Sequence, residues 1–387
     1  MTAVKIGLIG YGTVGSAVGR TIRSHQENLQ TIFGKEVQVA GVLVRNKQKY
    51  TQQVTAALLT DEAAELFAIE DLDVIIEASV GIEPAFRYLT EAIHRGCHII
   101  TANKELIASR GAELKQLAKE KGVRLEYEAA VAGGVPVIGT LKQLLHINRV
   151  VKVEAILNGT SNFILTEMAD KGFVFEDALR LAQESGFAEA DPANDVDGWD
   201  AFYKLMVLSD LLFEAQPDWE KVTHRGIRSV SAQDIQAAAE QGWKIKHVAT
   251  LENANGEVTA SVEPVVVSVD HPLYSVDGVD NAVCIEGDLV GKLKLQGPGA
   301  GALPTASAIV EDLANLVHNR KEVLVKREIR FTEKSGTVPF VHLPTGETVY
   351  LHAEHVEADG RYYRIAARTP AKAGLDVRGV IQTIQKR

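Results

Sequence analysis

Between Val4 and about Tyr127, short apolar runs alternate with stretches of helical periodicity, and the first run leads directly into Gly10-Tyr11-Gly12-Thr13-Val14-Gly15. This combination constrains the chain more than any other feature. Neighbouring parallel strands need long crossovers, usually helices, so the alternation predicts a parallel sheet built from strand-helix-strand units. Strands are expected at Val4 to Ile9, Val37 to Val44, Asp73 to Ala78, His98 to Thr101 and Val123 to Tyr127, which makes this half doubly wound α/β. In a Gly-x-Gly-x-x-Gly turn the first glycine makes the tight bend. The second lets backbone approach a pyrophosphate, and the third lets the helix pack close to its strand. A ligand-free structural turn is the alternative for such a motif taken alone. Its place after the first strand of an alternating segment favours a dinucleotide held by Gly10, Tyr11, Gly12, Thr13, Val14 and Gly15.

The end of the second strand bears on which dinucleotide. A nicotinamide enzyme that uses NAD needs a carboxylate there for the ribose 2′-hydroxyl. This strand ends in Arg45, with Lys47 and Lys49 following and neither Asp nor Glu among them, so a 2′-phosphate suits the charge better, and Arg45 is its expected partner. A solvated basic loop is the competing explanation. Two more residues fall where doubly wound folds bind ligands, at the carboxyl ends of strands: Ser79 after the third and Lys104 after the fourth.

After Gly133-Gly134 the pattern changes. A helix is expected over Val137 to His146 and a strand over Val150 to Leu157, followed by helices near Phe163 to Ala169, Phe175 to Glu184 and Asp200 to Phe213. Strands at Lys244 to Leu251, Val258 to Val265, Ala282 to Gly287 and Gly291 to Leu295 point to a mixed sheet with helices on one face, hence a second, α+β domain. A helical pattern from Thr305 to Val317, after the Gly-Pro-rich turn 297–301, could return to the first domain. The expected division is 1–135 for the dinucleotide domain, completed by a helix at about 303–320, then 136–302, then a tail from 321 to 387.

The densest chemistry lies between Gly186 and Lys204. If a helix begins near Trp199, Asp200 and Lys204 stand one turn apart on one face, among apolar Ala201, Leu205, Leu208 and Leu212. Burial favours the neutral amine while the carboxylate favours the ammonium, and such opposed influences suit a lysine that exchanges protons. The plain alternative is an acidic surface loop followed by an ordinary helical ion pair. A calcium loop starting at Asp191 fails, because Ala193 falls at a ligand position and Val196 where glycine is required. Zinc spacings are absent. Two glycine-rich turns, 128–136 and 158–162, each leave a strand and present backbone to something small, the second with Thr160 or Ser161 as a helix cap.

A net charge of −10, with no long run of Lys or Arg, argues against nucleic acid as a partner. No stretch reaches the roughly 18 apolar residues of a membrane span. Two cysteines, Cys97 and Cys284, are too few and too far apart for a disulfide framework. A cytoplasmic protein with a small-molecule substrate is the expectation.

Six segments in order, GLIGYGTVG, TANKELIA, EAAVAGGVP, LNGTSNFIL, GFAEADPANDVDGWDAFYK and GPGAGALPTA, resemble the signature set of the homoserine dehydrogenases across about residues 4 to 318. The resemblance implies reduction of aspartate 4-semialdehyde to homoserine with NADPH or NADH, on the route to threonine, methionine and isoleucine. It also implies Lys204 as the general acid/base, Asp200 as its orienter and Lys104 at the cofactor-substrate junction. Glu189 would take the substrate ammonium, with Gly159, Thr160 and Asp195 around the substrate, and Gly301 would join the cofactor set. Backbone carbonyls of Glu128, Val131, Gly133 and Val135 would hold a monovalent cation, commonly sodium. The assembly implied is a homodimer or homotetramer through the second domain. Trp199 and Phe202 depart from the smaller or aliphatic residues frequent in the family, which touches the shape of the pocket wall.

The tail residues Tyr362 to Leu375 resemble the opening strand and turn of an ACT regulatory domain. One strand and one helix fall short of that domain's usual four-strand sheet, so a shortened or vestigial module is implied. Two other readings remain open on the residues: another nicotinamide reductase such as an amino-acid dehydrogenase, or an amino-acid sensor that kept the cofactor fold. The grouping of Glu189 with Asp200 and Lys204 argues against the first.

Overall fold

The computed structural model describes residues 3–254 and 257–318 and, beyond them, the strand segments 340–342, 348–350, 353–358 and 363–367. It contains two compact units, Met1–Val325 and Lys326–Arg387.

The first unit opens with strands β1 (Val4–Ile9), β2 (Val37–Leu43), β3 (Leu58–Thr60), β4 (Leu72–Glu77), β5 (His98–Thr101) and β6 (Leu125–Glu126). All pair in parallel, in the order β3-β2-β1-β4-β5-β6. The helices between them are α1 (Thr13–Ser24), α2 (Gln26–Phe33), α3 (Ala63–Phe67), α4 (Ala85–His94) and α5 (Lys104–Lys121). Ile6, Leu8, Ile75, Ile76, Ile99 and Ile100 are all buried, as expected for a parallel sheet covered on both faces. The strand order reverses between β1 and β4. Ligands of such sheets bind in the crevice at that reversal. The five expected strands are present, and β3 is an addition. With three residues at the sheet edge it offers too short a run for alternation to register.

The chain continues with α6 (Val137–Leu144), β7 (Val150–Ile156), α7 (Gly159–Lys171), α8 (Phe175–Glu184), α9 (Ala193–Val196), α10 (Trp199–Phe213), β8 (Thr223–His224) and α11 (Ala232–Glu240). Strands β9 (Lys244–Ala254), β10 (Glu257–Val267), β11 (Asp280–Gly287) and β12 (Gly291–Pro298) complete a sheet ordered β12-β11-β7-β9-β10-β8. Its pairs are antiparallel except β8 beside β10, so the sheet is mixed. Helices α7, α10 and α11 pack against β9. The sequence reading did not place α11, although Ser231 and Asp234 form a reciprocal cap at its start.

Helix α12 (Ala302–His318) returns to the first sheet: Ala306, Ile309 and Leu313 share a core with Ile6, Leu8, Val18 and Ile22. In the second unit, β13 (Phe340–His342) pairs with β14 (Thr348–Tyr350), and β15 (Ala353–Ala358) with β16 (Tyr363–Ala367), both antiparallel. Of these the sequence reading placed only the last. The helical pattern it expected after β16 lies outside the described residues.

Candidate active site

The Gly10–Gly15 turn joins β1 to α1 at the reversal. Gly10 has φ +89°, and a Cβ there would lie 2.7 Å from the Ala78 carbonyl oxygen; at Gly15 it would lie 2.1 Å from the Gly10 oxygen. Neither position admits a side chain. Gly12 caps α1 without any side-chain hydrogen bond, and the first turn has no acidic residue. The first amides of α1 therefore lack a side-chain acceptor, which fits a phosphate. Gly12 and Thr13 are exposed and Val14 is half-buried, while Tyr11 is buried edge-on to Tyr50, ring centroids 5.7 Å apart. Ser79, half-buried at the same end of the sheet, is held by Glu77. Gly301 lies just before α12, and its carbonyl accepts from Thr305 N–H at 3.2 Å.

Arg45 is exposed at the end of β2. Lys47 is not free beside it: its ammonium pairs with Asp61 at 2.9 Å. The sequence reading saw no carboxylate near this loop because Asp61 follows β3, the strand it had not placed.

The second half of the site is a charged cluster with little access to water. Asp200 and Lys204 lie one turn apart on α10 and are 7% and 8% exposed. Lys204 Nζ donates to Asp200 Oδ2 at 2.7 Å and to the Leu157 carbonyl oxygen at 2.6 Å. From α5, Lys104 Nζ reaches the other carboxylate oxygen, Asp200 Oδ1, at 3.1 Å. One carboxylate thus bridges two ammonium groups carried by two different helices, α5 and α10. Burial alone would push the Asp200 carboxyl up, but Lys204 and Lys104 outweigh it and hold the group well below the usual carboxylate range. The same attraction to Asp200 raises Lys104.

Asn158 ties the cluster together. Its Nδ2 donates to Asp195 Oδ1 at 2.7 Å and to Asp200 Oδ2 at 2.9 Å, while its Oδ1 accepts from Ser161 N–H at 2.7 Å. The cap of α7 is therefore Asn158, not Thr160 or Ser161, whose hydroxyls donate to the Phe187 and Asp195 carbonyls, both at 2.7 Å. Asp195 is raised by burial and then by the charge of Asp200. Asn281, fully buried, donates to the Leu157 oxygen at 2.9 Å, the acceptor it shares with Lys204. The sequence reading did not assign roles to Asn158 or Asn281. A capping residue after a strand signals Asn158, whereas Asn281 lies inside β11 with no local signal.

Gly159 opens α7 beside this cluster, and the Thr160 hydroxyl brings the 187–189 segment against the same helix. The Glu189 side chain is exposed, away from any partner among the described residues. Phe202 belongs to the core rather than to a pocket wall, packing edge-on against Trp219 at 5.2 Å, while Trp199 is 41% exposed.

In the 128–136 turn, Val131, Gly133 and Val135 are buried, and Ala132 and Gly133 are both left-handed, φ +54° and +55°. The Glu128 carboxylate accepts from Ile138 and Gly139 N–H at 2.8 and 2.6 Å, so it is spent on the start of α6. No group of three or more His, Cys, Asp or Glu among the described residues could hold a metal ion.

The chain matches family models described as homoserine dehydrogenase, NAD binding domain, over residues 10–128 and homoserine dehydrogenase over residues 136–314. It is 38% identical over 322 residues to a homoserine dehydrogenase of Bacillus subtilis, covering 83% of this chain and 74% of that one. A crystal structure of a homoserine dehydrogenase from Thiobacillus denitrificans superposes with a TM-score of 0.78 at 38% identity, over 82% of this chain and 74% of that one. A hyperthermophilic archaeal homoserine dehydrogenase in complex with NADPH gives 0.70 at 29% identity, over 83% of this chain and 99% of that one. A glycine turn at the strand-order reversal and a lysine-carboxylate-lysine bridge, in a chain whose two halves match the two family models, place this protein in the homoserine dehydrogenase family.

Proposed function

We propose that Lys204 exchanges the proton at the substrate oxygen, that Asp200 fixes its ammonium, and that Lys104 closes the site on the cofactor side. As a homoserine dehydrogenase the chain is an NAD(P)-dependent oxidoreductase acting on a CH–OH group, interconverting aspartate 4-semialdehyde and homoserine in amino-acid biosynthesis. The observation that carries the assignment is the bridging carboxylate. An ammonium has three donors. Those of Lys204 to Leu157 and Asp200 take two, leaving one N–H for a carbonyl oxygen in the pocket. When bound, the nicotinamide supplies or removes the hydride. As negative charge grows on the aldehyde oxygen, the remaining N–H stabilises it and then delivers its proton. Asp200, charged throughout, keeps the ammonium in place.

Around this centre we assign Glu189 to the substrate ammonium, supported by its unpaired, exposed carboxylate, and Gly159, Thr160 and Asp195 to the substrate's surroundings. We take residues 1–135 with α12 as the cofactor domain, 136–302 as the catalytic and dimerisation domain, and the segment beyond 321 as ACT-like. NADP(H) is the preferred dinucleotide, supported by Arg45 at the end of β2 and by the NADPH complex of the archaeal neighbour. We assign a sodium ion to carbonyls of Glu128, Val131, Gly133 and Val135, supported by their burial around the left-handed turn at Ala132 and Gly133. A homodimer or homotetramer is supported by exposed Val151, Val265 and Val266 on the second sheet. A cytoplasmic location agrees with two free cysteines, and among the described residues no helix is long and apolar enough to cross a membrane.

Steady-state kinetics with homoserine and NADP test the central assignment. Lys204→Ala should lower kcat by about 10²–10⁴-fold with NADPH affinity little altered. Near-normal turnover in Lys204→Ala, with Lys104→Ala inactive, moves the proton to Lys104.

A further inference from the structure

One fully buried acid takes no part in the mechanism above. Glu77 is the last residue of β4, at the strand-order reversal, with no exposed surface. Both of its carboxylate oxygens are engaged, and on different elements. Oε1 accepts from Ser79 N–H at 2.7 Å and from the Ser79 hydroxyl at 2.5 Å, and Oε2 accepts from the Thr101 hydroxyl at 2.6 Å. The Thr101 oxygen in turn accepts from Asn103 N–H at 3.0 Å. Asn103 caps α5: its Oδ1 accepts from Leu106 N–H at 3.1 Å, and its Nδ2 donates to the Gly81 carbonyl at 2.8 Å. The helix it caps begins with Lys104. On the other side, Ala78 and Ser79 stand against Gly10, whose turn seats the dinucleotide.

A hydrophobic residue would fill the space under these loops at less cost, since burial pushes the Glu77 carboxyl up against the hydrogen bonds from its neighbours Ser79, Thr101 and Asn103. The donors that reach its carboxylate are the Ser79 amide and hydroxyl and the Thr101 hydroxyl, whereas Asp200 meets two lysines. A buried acid held only by neutral donors is costly unless its geometry is needed.

We infer that Glu77 is a positioning residue whose two carboxylate oxygens clamp Ser79 on the cofactor side and, through Thr101 and Asn103, Lys104 on the substrate side. The inference rests on the reading of Lys104 as the residue at the cofactor-substrate junction. The clamp sets where Lys104 enters relative to the cofactor crevice, because the Asn103 cap fixes both the first turn of α5 and the loop at Gly81.

The two arms can be cut separately. Thr101→Val removes the hydroxyl and leaves the Ser79 arm. It should lower kcat about 10–100-fold, the effect of a small misplacement of a catalytic group, while the NADPH dissociation constant from fluorescence titration changes by less than about threefold. Thr101→Ser should restore kcat. Glu77→Gln replaces one carboxylate oxygen by an amide donor, which Thr101 meets only by turning its hydroxyl proton away, so it should lower kcat and, in the cofactor-free protein, speed amide hydrogen exchange across residues 101–107. Parent-like kcat and exchange in both Glu77→Gln and Thr101→Val overturn the inference. So does a loss that Thr101→Ser fails to rescue and that tracks a lower melting temperature, because that pattern belongs to a residue that only stabilises the fold. If Lys104→Ala retains full turnover while Glu77→Gln still accelerates exchange, the reading of Lys104 falls and the clamp stands.

Discussion

The two halves of the active site are built in opposite ways. The dinucleotide turn is made of consecutive residues and works through backbone: Gly10 and Gly15 leave no room for a Cβ, and the amides opening α1 are left without a side-chain acceptor. The centre proposed for proton transfer draws Lys104 from α5, Leu157 and Asn158 from the end of β7, Asp195 and Asp200 from α9 and α10, and Asn281 from β11, and it is made of buried and half-buried side chains. A backbone cradle for a phosphate faces solvent and costs little to maintain. A buried carboxylate paired with a buried ammonium, Lys204, and a half-exposed one, Lys104, holds only while its partners are present, since a buried charge left alone is expensive.

The strongest way to break the comparison is to remove the shared anion. Asp200→Asn leaves Lys104 and Lys204 facing each other across a neutral amide. Turnover should fall about 10²–10⁴-fold, and folding stability should drop by about 3–5 kcal/mol, the usual cost of breaking a buried pair. NADPH affinity should stay close to the parent value. Chemical denaturation and fluorescence titration check both halves of the statement, and a large loss of NADPH affinity would mean that the two halves are not separable.

A smaller effect is expected at the cofactor end. Arg45→Ala removes a charge-assisted contact of about 1.5–3 kcal/mol to a 2′-phosphate, so the Michaelis constant for NADPH should rise about ten- to a hundredfold while that for NADH barely moves. Equal effects on the two cofactors would assign Arg45 to the solvated loop instead, alongside the Lys47–Asp61 pair.

The mildest test uses a buried acid without a pair of lysines. Asp312 on α12 is 5% exposed and accepts from Glu128 N–H at 2.8 Å. Burial, reinforced by the charges of Glu126 and Glu128, pushes its carboxyl up to about 7, whereas at Asp200 the lysines reverse the effect of burial. A value raised in the folded state means that the folded protein holds a proton the unfolded chain releases. The resulting stability is complete below about pH 4 and is lost as pH rises through about 7, at most about 4 kcal/mol in all. Asp312→Asn keeps an acceptor for Glu128 N–H and removes the titration. Calorimetry at pH 5.5 and 8 should show the parent melting temperature falling by several degrees more than the variant's. Parallel behaviour of the two proteins would contradict the raised value.

Much of this architecture could be read along the chain. The parallel sheet was visible because its central strands are runs such as Val74-Ile75-Ile76, too apolar for anything but a position buried on both faces. Asp200 and Lys204 were visible as partners because four residues make one helical turn. The edge strand β3, the two-residue β8 and the three-residue β13 and β14 were too short to leave a periodic pattern.

By itself the sequence determined what depends on neighbours in the chain: the glycine turn and its helix, the helical spacing of Asp200 and Lys204, and the return of an apolar helix after residue 301. The tertiary structure decided which charges meet. Lys104 lies 96 positions before Asp200, yet their side chains are 3.1 Å apart. Asn281 shares an acceptor with Lys204 across a separation in sequence that carries no period. Asp61 comes to Lys47 only because β3 lies beside β2. Periodicity reports which face of an element is buried. Which charged groups share that buried space depends on how the elements pack, and there, where water no longer screens them, the partners present decide whether a carboxylate such as Asp200 or Asp312 keeps its charge.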